Sequence, residues 1–347
     1  MRALAFEAPG RPLQEIAAPT PSAGPGEVVL KVAYCGVCGS DIHATEPSPF
    51  QLPSGVVLGH EFSGEVVDSG DGRFAVGDRA IGVPLAPCDD CGGIAGRCRD
   101  DLGILCPSIR IVGMAPSAPG AYAEFVKLGA AQLLHVPETV PLDAAALAEP
   151  LAVGAHAVRL AGALLGRRIL VVGAGPIGLG VTAFAAGAGA RDVVVSEIDP
   201  ARRGRAEGFG ATALLDPTET DVAAGFAGAA GGPPDVIFEC VGLPGLIRQC
   251  IDLAAVRGRI IVVGVNRHED AFLPRVALRK ELRLQFVLGY VARDFALSLD
   301  LLAKRPEIAT RMITHRAGFA ELPALFEALR RPNPHGKVLL DPAATAS

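Results

Sequence analysis

The stretch Arg168-Ile169-Leu170-Val171-Val172-Gly173-Ala174-Gly175-Pro176-Ile177-Gly178 constrains the fold of this chain more than any other. Apolar, β-favouring residues run into a Gly-x-Gly-x-x-Gly turn, and the helix-compatible run Leu179-Gly180-Val181-Thr182-Ala183-Phe184-Ala185-Ala186 follows at once. The order is strand, tight turn, helix, and its logic is phosphate recognition. Gly173 can take the sharp turn, Gly175 lets the backbone approach a pyrophosphate, and Gly178 lets helix and strand pack. The helix that opens at Pro176 and Ile177 turns its free N–H groups toward the anion.

A second strand, Asp192-Val193-Val194-Val195-Ser196-Glu197, places an acid 24 residues after Gly173. A carboxylate there accepts hydrogen bonds from the adenosine ribose hydroxyls and repels a 2′-phosphate, which favours NAD over NADP. Arg202 and Arg203 follow and could accommodate a phosphate, and Glu197 could instead cap the next helix; both alternatives stay open. Further strands read at 211–215, 235–240, 258–264 and 281–288, with helices between them. The expected fold class is α/β, with a doubly wound parallel six-stranded sheet of the Rossmann type. The turns Cys240-Val241-Gly242 and Gly264-Val265-Asn266 close its fourth and fifth strands. Cys240, Val241, Gly264 and Val265 are therefore expected to approach the nicotinamide half of the cofactor.

The chain has 347 residues, enough for two domains. Half hydrophobic residues and 20% charged ones suit a soluble globular protein. A net charge of −5, with no Lys/Arg cluster that would reverse it, argues against a nucleic-acid partner. Glu7 interrupts the N-terminus before a signal-peptide core can form. Residues 169–190 are uncharged and long enough to span a bilayer, but six glycines and a proline make them a buried βα unit. The expectation is a cytoplasmic protein with no membrane partner.

Ahead of the glycine turn lie two groups of metal-ligating residues. The first is scattered: Cys38 within Cys35-Gly36-Val37-Cys38-Gly39-Ser40-Asp41-Ile42-His43, then His60-Glu61 at the head of a strand, then Glu149 in Leu147-Ala148-Glu149-Pro150. A redox Cys35/Cys38 pair is the competing reading, and a buried structural histidine the competing one for His60. Together these residues offer the S, N and O donors of a catalytic zinc, which uses three protein ligands and leaves one position open. The second group is Cys88-x2-Cys91-x6-Cys98-x7-Cys106, suited to an all-thiolate structural zinc or to an unmetallated loop of buried thiols.

Over nearly its whole length the chain resembles the zinc-dependent medium-chain dehydrogenases of the alcohol, polyol and butanediol type. The resemblance implies a mostly-β, GroES-like catalytic domain over 1–150 that carries the zinc sites. An NAD-binding domain follows over 151–288, and a segment over 289–347 returns to the first. It assigns Cys38 and His60 as zinc ligands, with Glu61 or Glu149 as the third, and Asp41 as the acid that orients the histidine. Ser40 and His43 match a proton relay. Departures are the longer Cys91–Cys98 spacing, and Ala44 and Gly289-Tyr290 where sorbitol-type members carry an aromatic and an Arg-Tyr pair. The implied activity is reversible hydride transfer between NAD and a secondary alcohol or small vicinal diol, by a homodimer or homotetramer. Alternatives are a biosynthetic carbonyl reductase, a polyol or amino-alcohol dehydrogenase, and, from another class, a non-catalytic nucleotide-binding zinc protein or redox sensor.

Overall fold

A computed structural model describes residues 1–47, 52–86 and 102–344. The chain divides into two compact units, Met1–Glu149 with Val291–Ser347, and Pro150–Tyr290. Among the described residues no helix is long and apolar enough to cross a membrane.

The second unit is the doubly wound fold that the glycine turn demands. Six strands run in the order Ala213–Leu215, Asp192–Ser196, Arg168–Val172, Val236–Glu239, Arg259–Val262, Arg283–Phe286. Every pairing is parallel. Chain order reverses at Arg168–Val172, so the crevice beyond its carboxyl end is the point where such sheets bind ligands. Both faces are covered, which explains why the central strands read as unbroken apolar runs rather than as alternation. Leu170, Val194, Ile237 and Ile260 pack with Phe226, Cys250 and Ile251 in one buried cluster. Burial first, then the Glu239 charge, push the Cys250 thiol up to about 12, so it behaves as a small apolar side chain.

The last strand is shorter than its apolar run suggested. Glu281 takes a positive φ of 49° and Gly289 one of 62°, and pairing is confined to Arg283–Phe286 between them. The expected helix over 141–165 is likewise divided, into Leu142–Ala145 and Ala148–Ala161. Pro150 has no N–H to bond Ala146, so a continuous helix cannot run through this point, and the helix restarts with Pro150 in its first turn.

The first unit is built on a seven-stranded, mostly antiparallel sheet. Its strands run in the order Ile313–Ala317, Lys337–Leu340, Glu27–Gly36, Glu61–Ser69, Arg79–Gly82, Leu133–His135, and Phe125–Gly129 also pairs with Glu27–Gly36. The tail enters this sheet directly, with Leu339 opposite Gly36 and Leu340 opposite Cys35. Leu4, Phe6, Leu30, Leu58, Phe62, Tyr122, Phe319 and Phe326 form its core. Cys35 is fully buried in the same cluster, a packing residue.

Candidate metal centre and cofactor turn

Cys38 caps the six-residue helix Gly39–Ala44. Its sulfur accepts from the Ser40 N–H at 3.5 Å, while Asp41 reaches back to the Cys38 N–H at 3.1 Å. This capping box works with a thiol in place of the usual hydroxyl, and it sets both the sulfur and the Asp41 carboxylate by local geometry. Asp41 is fully buried, with Oδ2 accepting from the Tyr122 hydroxyl at 2.7 Å and Oδ1 lying 3.2 Å from Nδ1 of His60. Burial alone would raise its pKa, but the His60 charge and the hydrogen bonds outweigh it and hold the carboxyl below its usual range.

The opposite ring nitrogen of His60, Nε2, lies 3.3 Å from Oγ of Ser40 and 3.9 Å from Oε1 of Glu149. His60 and Glu61 follow Gly59, whose φ of +95° suits glycine; a Cβ there would also meet the Tyr122 ring at 2.5 Å and the Cys35 sulfur at 2.8 Å. Glu61 opens the strand Glu61–Ser69, opposite Gly36, where a Cβ would stand 2.1 Å from its Oε2. One ligand atom each from Cys38, His60 and Glu61 lies within 4.8 Å of the others. Glu149, in the first turn of Ala148–Ala161, reaches the same histidine nitrogen.

The donor set fits a divalent cation. Oε2 of Glu61 is buried with no hydrogen-bond partner among the described residues, a state that costs about 1–3 kcal/mol unless something compensates it. Burial, then the Glu61 charge, push the Cys38 thiol up, so a metal binding here must displace its proton. The other Glu61 oxygen, Oε1, accepts from Lys337 at 2.7 Å, and the same ammonium donates to the Val37 carbonyl at 3.0 Å. Burial opposes the charge on Lys337, but Glu61 and its neighbours hold the pKa above the ordinary lysine value.

Tyr122 and Lys337 escaped the sequence reading. The signal for Lys337 was a lone cation in the otherwise apolar Lys337-Val338-Leu339-Leu340; for Tyr122 it was one large polar-tipped ring among alanines. His43 is half exposed, 3.5 Å from Oε2 of Glu46. No hydrogen bond joins it to Ser40 among the described residues. Of the second cysteine group, Cys88, Cys91 and Cys98 lie outside the described residues, and Cys106 is buried after the short turn Gly103–Leu105.

At the glycine turn the three glycines differ in need. Gly173 has φ +96°, and a Cβ on Gly178 would lie 2.0 Å from the Gly173 carbonyl oxygen. Around Gly175 nothing lies within 4 Å of a Cβ position, so space is open beside the helix Pro176–Gly187. That helix has no side-chain cap, and Pro176 at its start has no N–H, leaving Ile177 and Gly178 to present theirs. Glu197 is buried at the end of the second strand, with Oε2 accepting from Ala174 N at 2.8 Å and Oε1 from Asp199 N at 2.9 Å. The helix after it is capped by Asp199, not by Glu197. Arg202 lies within that helix, Pro200–Arg205. Arg203 donates to the Glu197 and Ile198 carbonyls and pairs with Asp216 at 3.0 Å.

Farther along, the Cys240–Gly242 and Gly264–Val265 turns interlock. A Cβ on Gly264 would stand 2.2 Å from Gly242 N, and one on Gly242 2.7 Å from the Val265 backbone. Glu239, which the sequence reading passed over, accepts from Val241 N at 2.7 Å and from Gly242 N at 2.8 Å. Val241 and Val265 stay exposed above it, and burial pushes the Cys240 thiol well up.

Comparison with known proteins extends both regions. Residues 24–138 match the alcohol dehydrogenase GroES-like domain, and 176–304 match the zinc-binding dehydrogenase domain. The (R,R)-butanediol dehydrogenase of Bacillus subtilis is 33% identical over 93% of this chain and 94% of the relative. A crystal structure of 2R,3R-butanediol dehydrogenase from Bacillus subtilis superposes with a TM-score of 0.88, covering 98% of this chain and 99% of that one at 30% identity. Sheep (Ovis aries) sorbitol dehydrogenase is 32% identical over 90% of this chain and 89% of the relative. A structure described as a zinc-binding dehydrogenase from Sinorhizobium meliloti 1021, bound to NADP, gives a TM-score of 0.85 at 31% identity, covering 98% and 99% of the two chains.

Proposed function

Because the chain belongs to the zinc-dependent medium-chain dehydrogenases, we propose that it transfers hydride reversibly between NAD and a secondary alcohol or small vicinal diol. It is an oxidoreductase acting on CH–OH groups, with zinc and a nicotinamide cofactor. The observation that carries the reading is the meeting of Cys38, His60 and Glu61 within 4.8 Å, one Glu61 oxygen lacking a partner.

Cys38, His60 and either Glu61 or Glu149 would hold the metal. A zinc ion in that donor set supplies Lewis acidity toward an alcohol or carbonyl oxygen, and the nicotinamide accepts or returns the hydride. Asp41, fixed by Tyr122, holds the His60 ring with Nε2 toward the donor set. Ser40, 3.3 Å from that nitrogen, is the hydroxyl that would take the substrate proton, and because no hydrogen bond joins it to the half-exposed His43 among the described residues, the relay to His43 and water would need the cofactor ribose between them. Lys337 offsets one carboxylate charge in a cluster that holds Asp41, Glu61 and Glu149.

Two features support NAD as the cofactor: a carboxylate at position 197, and the engagement of Arg203 by backbone carbonyls and Asp216, which leaves it poorly placed to meet a 2′-phosphate. Ala44 and Gly289-Tyr290, in place of the polyol-binding residues, support a short substrate over a long polyol. Cys88, Cys91, Cys98 and Cys106 are retained as a structural zinc site, and the working form as a cytoplasmic homo-oligomer.

An NADH-absorbance screen of purified protein against vicinal diols, secondary alcohols, sorbitol and threonine tests the substrate. The highest kcat/KM is expected for a small vicinal diol or secondary alcohol with NAD. A preference for sorbitol or threonine overturns the substrate reading, and equal kcat/KM with NADP overturns the cofactor one.

A further inference from the structure

At the end of the parallel sheet away from the glycine turn lies a cavity of about 560 Å³. It is lined by Arg167, Arg257, Arg259 and Arg283, with Asp235 and Glu281. Arg259 and Arg283 are the first residues of their strands, and Asp235 directly precedes Val236–Glu239. Those strands rise from the cavity toward the Cys240 and Gly264 turns, so the two ends of the sheet stand roughly 15 Å apart at about 3.3 Å per residue.

Both acids are already matched. Asp235 receives a two-pronged pair from Arg168 at 2.8 and 3.2 Å, and Glu281 meets Arg257 at 2.7 Å. Arg259 is partly buried and is tied to the carbonyls of Ala161 and Ala163, which fix it without neutralising it. No hydrogen bond or ion pair engages the side chains of Arg167 and Arg283 among the described residues. Burial first, then the positive charges of Arg167 and Arg283, depress the Arg259 pKa against the opposing charge of Asp235. Arg257 and Glu281 are also the two non-glycine residues of positive φ among the described residues, at 60° and 49°. Strain of this kind persists where the surroundings over-determine it, often beside a ligand site.

We propose that this cavity is an anion site for a small molecule bearing a di- or polyphosphate group, separate from the cofactor turn. Arg167, Arg259 and Arg283, none of them in an ion pair among the described residues, call for a ligand with several negative charges. The planar fork of arginine matches phosphate oxygens two at a time. A volume near 560 Å³ exceeds what a lone phosphate fills and leaves room for an attached organic group.

Inorganic pyrophosphate is the probe, titrated calorimetrically into the intact protein and into an Arg167→Ala/Arg283→Ala variant. Among the described residues neither side chain has a hydrogen bond or ion pair to lose, and their removal relieves repulsion on Arg259, so the unliganded variant is expected to melt no lower than the parent. The parent is expected to bind pyrophosphate, and to bind it at least tenfold more weakly when salt is raised from low to physiological levels. The variant is expected to lose at least tenfold in affinity. Absence of binding in the parent overturns the proposal. So does equal affinity in the variant, which would place the bound anion elsewhere, the glycine turn included.

Discussion

Asp41 links the thiol-bearing helix to the imidazole, accepting from Cys38 N and Tyr122 and facing His60. Tyr122→Phe removes a hydrogen bond to a charged group, worth about 1.5–3 kcal/mol. Because such outer partners orient a ligand, zinc affinity is expected to fall roughly 10–100-fold, as a competition titration with a chromophoric chelator would show. Unchanged affinity would remove Tyr122 from the site. Lys337→Met is expected to destabilise the metal-free protein by about 3–5 kcal/mol, because it strands the buried Glu61 carboxylate; urea unfolding after exhaustive chelation measures it. Nothing near Asp41 or Glu61 in the chain announces these partners, which lie 81 and 276 residues away. The ligands themselves were legible because each stands in a short pattern with its own chemistry. Glu197 was legible only in part, since its two oxygens also tie Ala174 and Asp199 in place.

The glycine turn is the element whose form follows most directly from its sequence, since Gly173 and Gly178 each meet a separate steric demand and Gly175 leaves its side of the turn open. Gly178→Ala would drive a methyl into the Gly173 carbonyl. It is expected to destabilise the second unit by about 1–3 kcal/mol and to weaken NAD binding, read by cofactor fluorescence. Binding unaltered by this substitution would argue against the turn as the phosphate cradle. Arg168, first in its strand, and Asp235, just before the neighbouring strand, give the same sheet a pH-dependent pair. The two side chains are about a fifth exposed, so the pair is worth about 1 kcal/mol after screening. Burial acts to raise the Asp235 pKa, but the Arg168 hydrogen bonds prevail and lower it. The stabilisation is therefore complete above the unfolded carboxylate value of about 4 and disappears as pH falls through the depressed folded value. Arg168→Met should lower stability at neutral pH, and the gap to the parent should close on acidification in parallel unfolding curves. A gap that widened in acid would reverse the assignment. Boundaries were less legible than elements, because a missing N–H at Pro150 and left-handed backbone at Glu281 interrupt runs that composition alone would continue.

Across the whole molecule, distant segments are brought together in ways that no window of sequence shows. The tail carries Lys337 into the first unit's sheet, and the parallel sheet gathers Arg167, Arg259 and Arg283 although they lie far apart along the chain. The parallel sheet also ends on an exposed edge, Arg283–Phe286, with Phe286 66% exposed. An edge strand without a pairing partner among the described residues is a template for a second copy, so light scattering at micromolar protein is expected to report at least a dimer, and a monomer mass would contradict it.

Turnover is expected to depend on one catalytic zinc held by Cys38, His60 and a neighbouring glutamate. The most direct test is zinc content measured alongside turnover and NAD binding in Cys38→Ser. The expected result is loss of the zinc of this site and of turnover, with NAD affinity unchanged. Full zinc content and undiminished turnover in that variant would contradict it.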